Sequence, residues 1–398
     1  MEPPLKGIRV LDLTRAAAGP FCTMILGDFG ADVAKVEPTP RGDLLRAFGP
    51  FHGGEGTYFL SINRNKRSLA VDFRTTKGRA LLHALALRAD VLVENFKPGI
   101  ADEMGLGYDV LRRDNPKLVY ASISGFGASG PYGRWPGVDQ IAQGMSGLMS
   151  ITGTEESGPL RVGTPIGDLT AGMWSALGIL AAVLQQRTTG IGQRVDTSLI
   201  GALIGLLCVQ GQRYLSLGEV AGPVGNDHPV ICPYGLVETM DGPLNISVAT
   251  QDMWRKLCRI LDLDEMVDHP HFCDNPARLK NSGALKLRLN EAFRRDTQMA
   301  WTEKLIEAGI PAGPVYTMDQ VFSDPHVVSQ GFIQPANHAL LGKLPLLSNP
   351  ARMHCTSEET ARLPPPVFGQ NSVEVLADFG FSRPEIDALL KEAVVQQN

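Results

Sequence analysis

Cysteine is scarce, with six residues in a chain of 398. Cys22, Cys208, Cys232, Cys258, Cys273 and Cys355 are widely separated, and no two have the C-x-x-C spacing. This argues against a disulfide framework or a thiolate metal site and for a reducing, intracellular compartment. Basic charge is not in excess either: 37 Lys and Arg face 42 Asp and Glu, for a net charge of −5. Nucleic acid is therefore not an expected partner. No apolar run reaches the roughly 20 residues that a membrane span needs. The longest, residues 199–209, reads as a buried helix that continues to about Tyr214. Gly-x-Ser-x-Gly, His-Glu-x-x-His and Gly-x-x-x-x-Gly-Lys-Ser/Thr are all missing. Their absence removes the sequence signals of a serine hydrolase, a zincin and a P-loop enzyme. Residues 1–6 have the character of neither a signal peptide nor a transit peptide. The expected location is cytoplasmic, or the mitochondrial matrix if a transit peptide has been removed.

Hydrophobic residues make up 43% of the chain, enough for a large core. Residues 7–13 read as a strand, 21–30 as a helix and 32–37 as a second strand, a βαβ opening. Further strands at 69–72, 91–95 and 117–124 alternate with helices near 76–88 and beyond Gly99. That alternation predicts an α/β fold with a parallel sheet covered on both faces. Gly125-Phe126-Gly127-Ala128-Ser129-Gly130 has the G-x-G-x-x-G spacing, but Pro131, Gly133 and Pro136 follow. A dinucleotide site needs a helix there, so the stretch reads instead as an irregular active-site loop. Residues 218–233, rich in Gly and Pro, read as a linker. It divides a large domain, 1–217, from a small α+β domain, 234–317. The small domain has a hairpin at 236–248 and helices near 251–261, 282–294 and 301–308. Residues 318–398 follow and end in two short helices, 371–378 and 384–393.

The stretch Val162-Gly163-Thr164-Pro165-Ile166-Gly167-Asp168 runs into an apolar helical segment from Met173. An Asp at that junction fits an N-cap. It also fits a nucleophilic carboxylate, kept ionised by the positive end of the helix. Arg41, Arg46, Arg64, Lys66, Arg67, Arg74 and Lys77 gather near strand ends. Singly each reads as solvated surface charge; as a set they suggest a site for a phosphate-bearing ligand. His269-Pro270-His271-Phe272-Cys273-Asp274 is the one dense group of potential metal ligands. Its proline blocks the i, i+4 helical presentation common in zinc sites, so a surface turn and no metal are expected.

Several ordered blocks carry a family resemblance. They include Val10-Leu11-Asp12-Leu13-Thr14 with Ala18-Gly19-Pro20, Leu26-Gly27-Asp28-Phe29-Gly30-Ala31-Asp32-Val33, and Asn65-Lys66-Arg67-Ser68. Val93-Glu94-Asn95-Phe96-Lys97-Pro98-Gly99, Gly167-Asp168, Gly309-Ile310-Pro311-Ala312-Gly313-Pro314-Val315 and Leu363-Pro364-Pro365-Pro366 continue the series. Together they closely resemble the class III CoA-transferase family, the formyl-CoA and carnitine CoA-transferase group, over essentially the whole chain. Within it the chain is most similar to succinyl-CoA:dicarboxylate transferases acting on glutarate or itaconate.

The resemblance implies a Rossmann-like large domain, a smaller α+β domain, and two chains interlocked like rings as a homodimer. The C-terminal segment would return to the large domain. It implies Asp168 as the nucleophile, working through a mixed anhydride and an aspartyl-CoA thioester. CoA enters as acyl-CoA substrate, with no permanently bound cofactor. CoA contacts are implied at Ala17, Ala18, Val71, Asp72, Phe73, Arg74, Asn95, Phe96 and Lys97. Ala17 replaces a Gln of the formyl-CoA transferases, which argues against formate and oxalate as substrates. Pro38 and Glu103 replace phosphate-binding arginines, and Arg41 and Lys97 are the candidate substitutes. Arg15 is the candidate for the distal carboxylate of a dicarboxylate, with a structural salt bridge as its alternative. The sister racemases pair their Asp with the His of a Gly-His-Asp sequence. Here the stretch is Gly137-Val138-Asp139, and valine cannot exchange protons. Racemase or isomerase chemistry and a non-catalytic CoA-binding role remain the alternatives.

Overall fold

The computed structural model describes residues 1–353 and 362–398; Cys355 lies outside them. Two compact units are present. The first comprises Met1–Met149, Arg161–Val220 and Gln330–Asn398, and the second Ser150–Leu160 and Ala221–Ser329.

The central sheet of the first unit contains β1 (Arg9–Asp12), β2 (Asp32–Pro38), β3 (Lys66–Val71), β4 (Val91–Glu94), β5 (Val119–Ser124), β6 (Arg194–Ser198) and β7 (Val395–Gln396). Their spatial order is β6-β5-β4-β1-β2-β3-β7. Every neighbouring pair is parallel except β3 and β7, which are antiparallel. The first six strands therefore follow a doubly wound order, and its switch point lies between β1 and β4.

Both faces of this sheet are covered, which is why its strands are apolar on successive residues rather than on alternate ones. Leu11, Leu69 and Leu92 face a cluster built with Leu81, Leu82 and Leu85 of the helix Thr76–Ala86 and with Val375, Leu376 and Ile386 near the C-terminus. Val10, Val33, Val91 and Val119 face the opposite cluster. There they meet α1 (Ala18–Asp28) and α3 (Ile166–Thr189); α2 (Asp139–Met145) lies between these in the chain. The α1 and α3 helices come into direct contact at Gly172, where a Cβ would lie 2.7 Å from the Ala18 carbonyl oxygen. Only a residue without a side chain permits that approach. By length and composition α3 could cross a membrane, but half of its most apolar window is buried inside the unit.

Two details differ from the sequence expectation. The helix expected from residue 199 to about Tyr214 is two, Leu199–Leu206 and Cys208–Leu217, bent by 77°. The first buries Leu199, Ala202 and Leu203. The second carries Gln210, Gln212 and Arg213 and buries no residue. The other difference is β7, which adds an antiparallel edge strand beyond the last helix.

The second unit has a three-stranded antiparallel sheet, with Pro243–Ser247 between Tyr234–Glu238 and Ala312–Pro314. Helices Gln251–Ile260, Ser282–Phe293 and Gln298–Glu307 close its core around Trp254, Phe293, Trp301 and Leu305. His269 stacks on Phe272 with ring centres 5.1 Å apart. Among the described residues no group of His, Cys, Asp and Glu is arranged to hold a metal. Cys22, Cys208, Cys232, Cys258 and Cys273 are all free thiols.

Candidate active site

A cavity of about 360 Å³ opens at the carboxyl ends of β1, β4 and β5. This is the switch point of the sheet, where doubly wound folds place their ligands. Its walls include Arg15, Ala16, Ala17 and Ala18 after β1, Asn95, Phe96 and Lys97 after β4, and Trp135 and Val138 after β5. Leu44 and Asp168 complete the enclosure. The segment after β4 is ordered by Glu94, whose carboxylate accepts the Phe96 N–H at 2.8 Å. Asn95 in turn fastens the segment after β1. Its side chain accepts the Arg15 N–H at 2.9 Å and donates to the Arg15 carbonyl at 2.7 Å.

The α3 helix begins at Ile166 with Pro165 as its N-cap, and Pro165 supplies no side-chain bond. Asp168 therefore lies in the first turn rather than at the cap, which corrects the expectation drawn from the loop-like Pro165 and Gly167. The capping bond comes from α2 instead. Asp139 accepts the Gly167 N–H at 2.8 Å. Gln143 donates to the other Asp139 oxygen at 2.7 Å and accepts the Val162 N–H at 2.9 Å.

Burial, and then the neighbouring Asp139 carboxylate, push the Asp168 pKa from 3.8 up to about 7. A helix terminus favours a carboxylate by ~0.3–1 kcal/mol. A shift of that size corresponds to about 4 kcal/mol, so burial and repulsion prevail. The expectation that the helix end alone keeps Asp168 ionised is corrected accordingly. Tyr58 feels the same field: burial, then Asp168 and Asp139, raise its pKa, which leaves it a neutral phenol.

The structure gathers Arg15, Ala17, Ala18, Asn95, Phe96, Lys97 and Asp168 around one cavity and leaves the other candidates outside it. Val71 is buried in the core, and Asp72, Phe73 and Arg74 follow β3, two strands from the switch point. Most of the basic set is consumed internally. Arg64 pairs with Asp28 at 2.6 Å, Lys66 with Asp12 at 3.1 Å, Arg67 with Asp32 at 2.7 Å and Arg46 with Glu37 at 2.7 Å. Arg74 is held by Asp72 at 2.7 Å and Lys77 by Glu392 at 2.6 Å. Strand order brings Lys66 and Arg67 onto carboxylates 54 and 35 residues away, Arg74 is held by Asp72 two residues before it, and the expected phosphate-binding set does not exist as a set. Arg41 is exposed and forms no ion pair among the described residues. Arg15 likewise has no carboxylate partner among them; its guanidinium lies over the Phe96 ring, 5.6 Å from the centroid. The structural-salt-bridge alternative for Arg15 thus has no partner within the described residues.

The model of CoA-transferase family III matches residues 5–372. The chain belongs to CoA-transferase family III. It is 38% identical over 397 residues to the succinyl-CoA:glutarate CoA-transferase of Mus musculus, covering 99% of this chain and 91% of that one. It is 40% identical over 333 residues to the succinyl-CoA:mesaconate CoA-transferase of Haloarcula hispanica, covering 81% and 83%. The crystal structure of a CAIB/BAIF family protein from Brucella suis matches with a TM-score of 0.86 at 35% identity, covering 95% of this chain and all of that one.

As a CoA-transferase the protein is an enzyme that takes an acyl-CoA and a carboxylate. The switch-point cavity brings together one carboxylate, Asp168, and two cations, Arg15 and Lys97, that have no carboxylate partner among the described residues. Asp139, Gln143 and Tyr58, which bear on α3 and Asp168 without lining the cavity, were not legible in that role. The sequence reading reached Asp139 only through the Gly137-Val138-Asp139 stretch; its bond to the Gly167 amide, 28 residues away, was not legible there.

Proposed function

We propose that this CoA-transferase moves CoA from succinyl-CoA to a dicarboxylate such as glutarate or itaconate, with Asp168 as nucleophile. The observation that carries the reading is Asp168 facing the same cavity as Arg15, a cation with no carboxylate partner among the described residues. An Asp168 oxygen attacks the thioester carbon, forming an aspartyl-succinyl anhydride and expelling CoA thiolate. The thiolate attacks the Asp168 carbonyl, so succinate leaves and an aspartyl-CoA thioester remains. The acceptor carboxylate then displaces CoA thiolate and forms a second anhydride. Attack of the thiolate on the acceptor carbonyl releases the new acyl-CoA and restores Asp168. Activation is conserved at every step, so no ATP is consumed.

Arg15 binds the distal carboxylate in this reading, and Lys97 and Arg41 provide charge for the CoA phosphates. Ala17, Ala18, Asn95 and Phe96 line the path of the thioester arm, with Val71, Asp72, Phe73 and Arg74 further out along CoA. The same reading takes the protein as a cytoplasmic homodimer of interlocked chains. Its Rossmann-like domain, 1–217, is joined through 218–233 to a small domain, 234–317, before the return segment 318–398. Apolar side chains exposed on α3, Trp174, Leu177 and Leu184, support an assembly.

Incubation with succinyl-CoA followed by hydroxylamine should modify Asp168, read by peptide mass spectrometry. Asp168→Ala should lower transfer to glutarate by at least about 10³-fold while the fold is kept. Transfer at the parent rate in that variant would end the proposal. Arg15→Ala should reduce the preference for dicarboxylates over monocarboxylates. Racemase chemistry is the second reading, and it would give deuterium wash-in at the α-carbon of an acyl-CoA without acceptor acid. The exposed Val138 at the cavity wall cannot serve as the second base.

A further inference from the structure

The segment after β1 holds an unusual backbone. Ala16 has φ 63°, in the left-handed region where a Cβ is disfavoured. It stands between Arg15 and Ala17 on the wall of the cavity. Such a conformation persists only where its surroundings over-determine it, and here three buried or half-buried side chains do so. Asn95 brackets the Arg15 peptide groups, as described above. Asp43 accepts the Ala16 N–H at 3.2 Å. Lys35 donates to the Thr14 carbonyl at 3.0 Å and to the second Asp43 oxygen at 2.8 Å.

Asp43 is 1% exposed and does not line the cavity. Its carboxylate is nevertheless shared between two walls. The oxygen that receives the Ala16 N–H also receives the Leu45 N–H at 3.0 Å, which caps the short helix beginning at Leu44. Leu44 itself lines the cavity. Fully buried Lys35 fixes the carboxylate from beneath the sheet end. One charge-assisted group thus ties the loop bearing Arg15 to the turn bearing Leu44.

We infer that Asp43 is a positioning residue for CoA transfer: it keeps Ala16 left-handed and so aims the Arg15 side chain into the cavity opposite Asp168. Loss of the tether lets Ala16 relax to an ordinary φ, which rotates the flanking peptide planes and turns Arg15 away. The consequence is specific. Acids that use Arg15 lose their advantage, whereas acids without a second carboxylate lose less. The inference rests on the reading of Arg15 as the anchor for the distal carboxylate.

The test is the ratio of kcat/KM for glutarate to that for butyrate, with succinyl-CoA as donor, in a double-mutant cycle of Asp43→Ala and Ala16→Gly. Asp43→Ala should lower the ratio at least tenfold. In the Ala16→Gly background the same substitution should lower it at least threefold less, because glycine occupies the left-handed region without a Cβ penalty. A role in stability alone would scale both acids together and would be indifferent to residue 16. If Asp43→Ala fails to fold because Lys35 is left unpaired, Lys35→Met with Asp43→Leu removes both charges. That variant should show the same fall in the ratio. An unchanged ratio in a folded variant, or an equal fall in both backgrounds, overturns the inference. Hydroxylamine trapping of Asp168 in the parent protein separates the two readings. No trapping there refutes the catalytic reading, whereas trapping with an unchanged ratio refutes only the role of Asp43.

Discussion

Asp12, at the end of β1, is completely buried, yet its pKa lies below the ordinary carboxylate value. Asp168 keeps partial contact with solvent and is pushed up to about 7. Burial works against the charge in both places. At Asp12 it is outweighed by Lys66 and Lys35 and by the hydroxyls of Thr14 and Thr23. At Asp168 the one charged neighbour of consequence is another carboxylate, Asp139. Lys35, Arg46, Arg64 and Lys66 are committed to structural carboxylates, whereas no cation forms an ion pair with Asp168 among the described residues. A structural carboxylate is solvated by its partners; in the proposed mechanism the attacking one, Asp168, is left partly unsatisfied so that its electron pair is available to an incoming acyl carbon.

The largest effect is expected where compensation is removed. Asp12→Ala leaves the Lys66 ammonium buried with only the Pro20 carbonyl and the Asn63 side chain. Breaking such a pair costs about 3–5 kcal/mol, measurable by urea unfolding. A loss below about 1 kcal/mol would mean that the lysines do not hold the sheet end.

The reverse substitution at the site should stabilise the protein. Between pH 3.8 and about 7 the folded state binds a proton at Asp168 that the unfolded chain has released. Stability from this group therefore falls as pH rises through that window, and the whole penalty is present above it. Asp168→Asn has no such penalty. Allowing for partial exposure and for the lost helix-end interaction, the gain at pH 8 is about 1–3 kcal/mol, and it should vanish near pH 4. Thermal unfolding at the two pH values checks both the size and the sign. A variant less stable than the parent at pH 8 would place Asp168 in the same class as Asp12.

A smaller effect should follow from Asp139→Asn, which keeps an oxygen for the Gly167 N–H and removes the repelling charge. The Asp168 pKa then moves down, and the acidic limb of kcat/KM for succinyl-CoA moves with it. Activity at pH 6 relative to pH 8 should rise about two- to fivefold. An unmoved limb would show that Asp139 acts on α3 through its hydrogen bond alone.

Strands β1, β3 and β4 were legible because each is a short apolar run with a helix-forming stretch after it, and β2 and β5 by their branched and apolar residues alone. Val91-Leu92-Val93 is the clearest case: its side chains enter opposite cores, and both are apolar. Strand β7 was not legible, since two residues carry no period and pair only because Val395 meets Val71. The start of α3 was misread because Pro165 and Gly167 are loop residues by propensity, and the cap that makes a helix of them belongs to Asp139. Charge was the hardest property to read. Lys66, which alone reads as solvated surface charge, is set by strand order against Asp12, 54 residues earlier, and is fully buried. Arg15, Arg41 and Lys97, by contrast, have no carboxylate partner among the described residues. Residue type and spacing single out the charges; the partners, which decide what each charge does, are non-local.

Gly125 and Gly137 touch, a Cβ on either lying 2.5 Å from the Cα of the other. The chain between them leaves the end of β5 and re-enters at nearly the same point, held together by Phe126, Tyr132 and Trp135 in mutual ring contact. Trp135 and Pro136 face the reaction cavity. Because the excursion starts and ends at one place, its length and composition can change without moving the sheet or Asp168. The two glycines are its joint, and the excursion is anchored at one place rather than across the sheet.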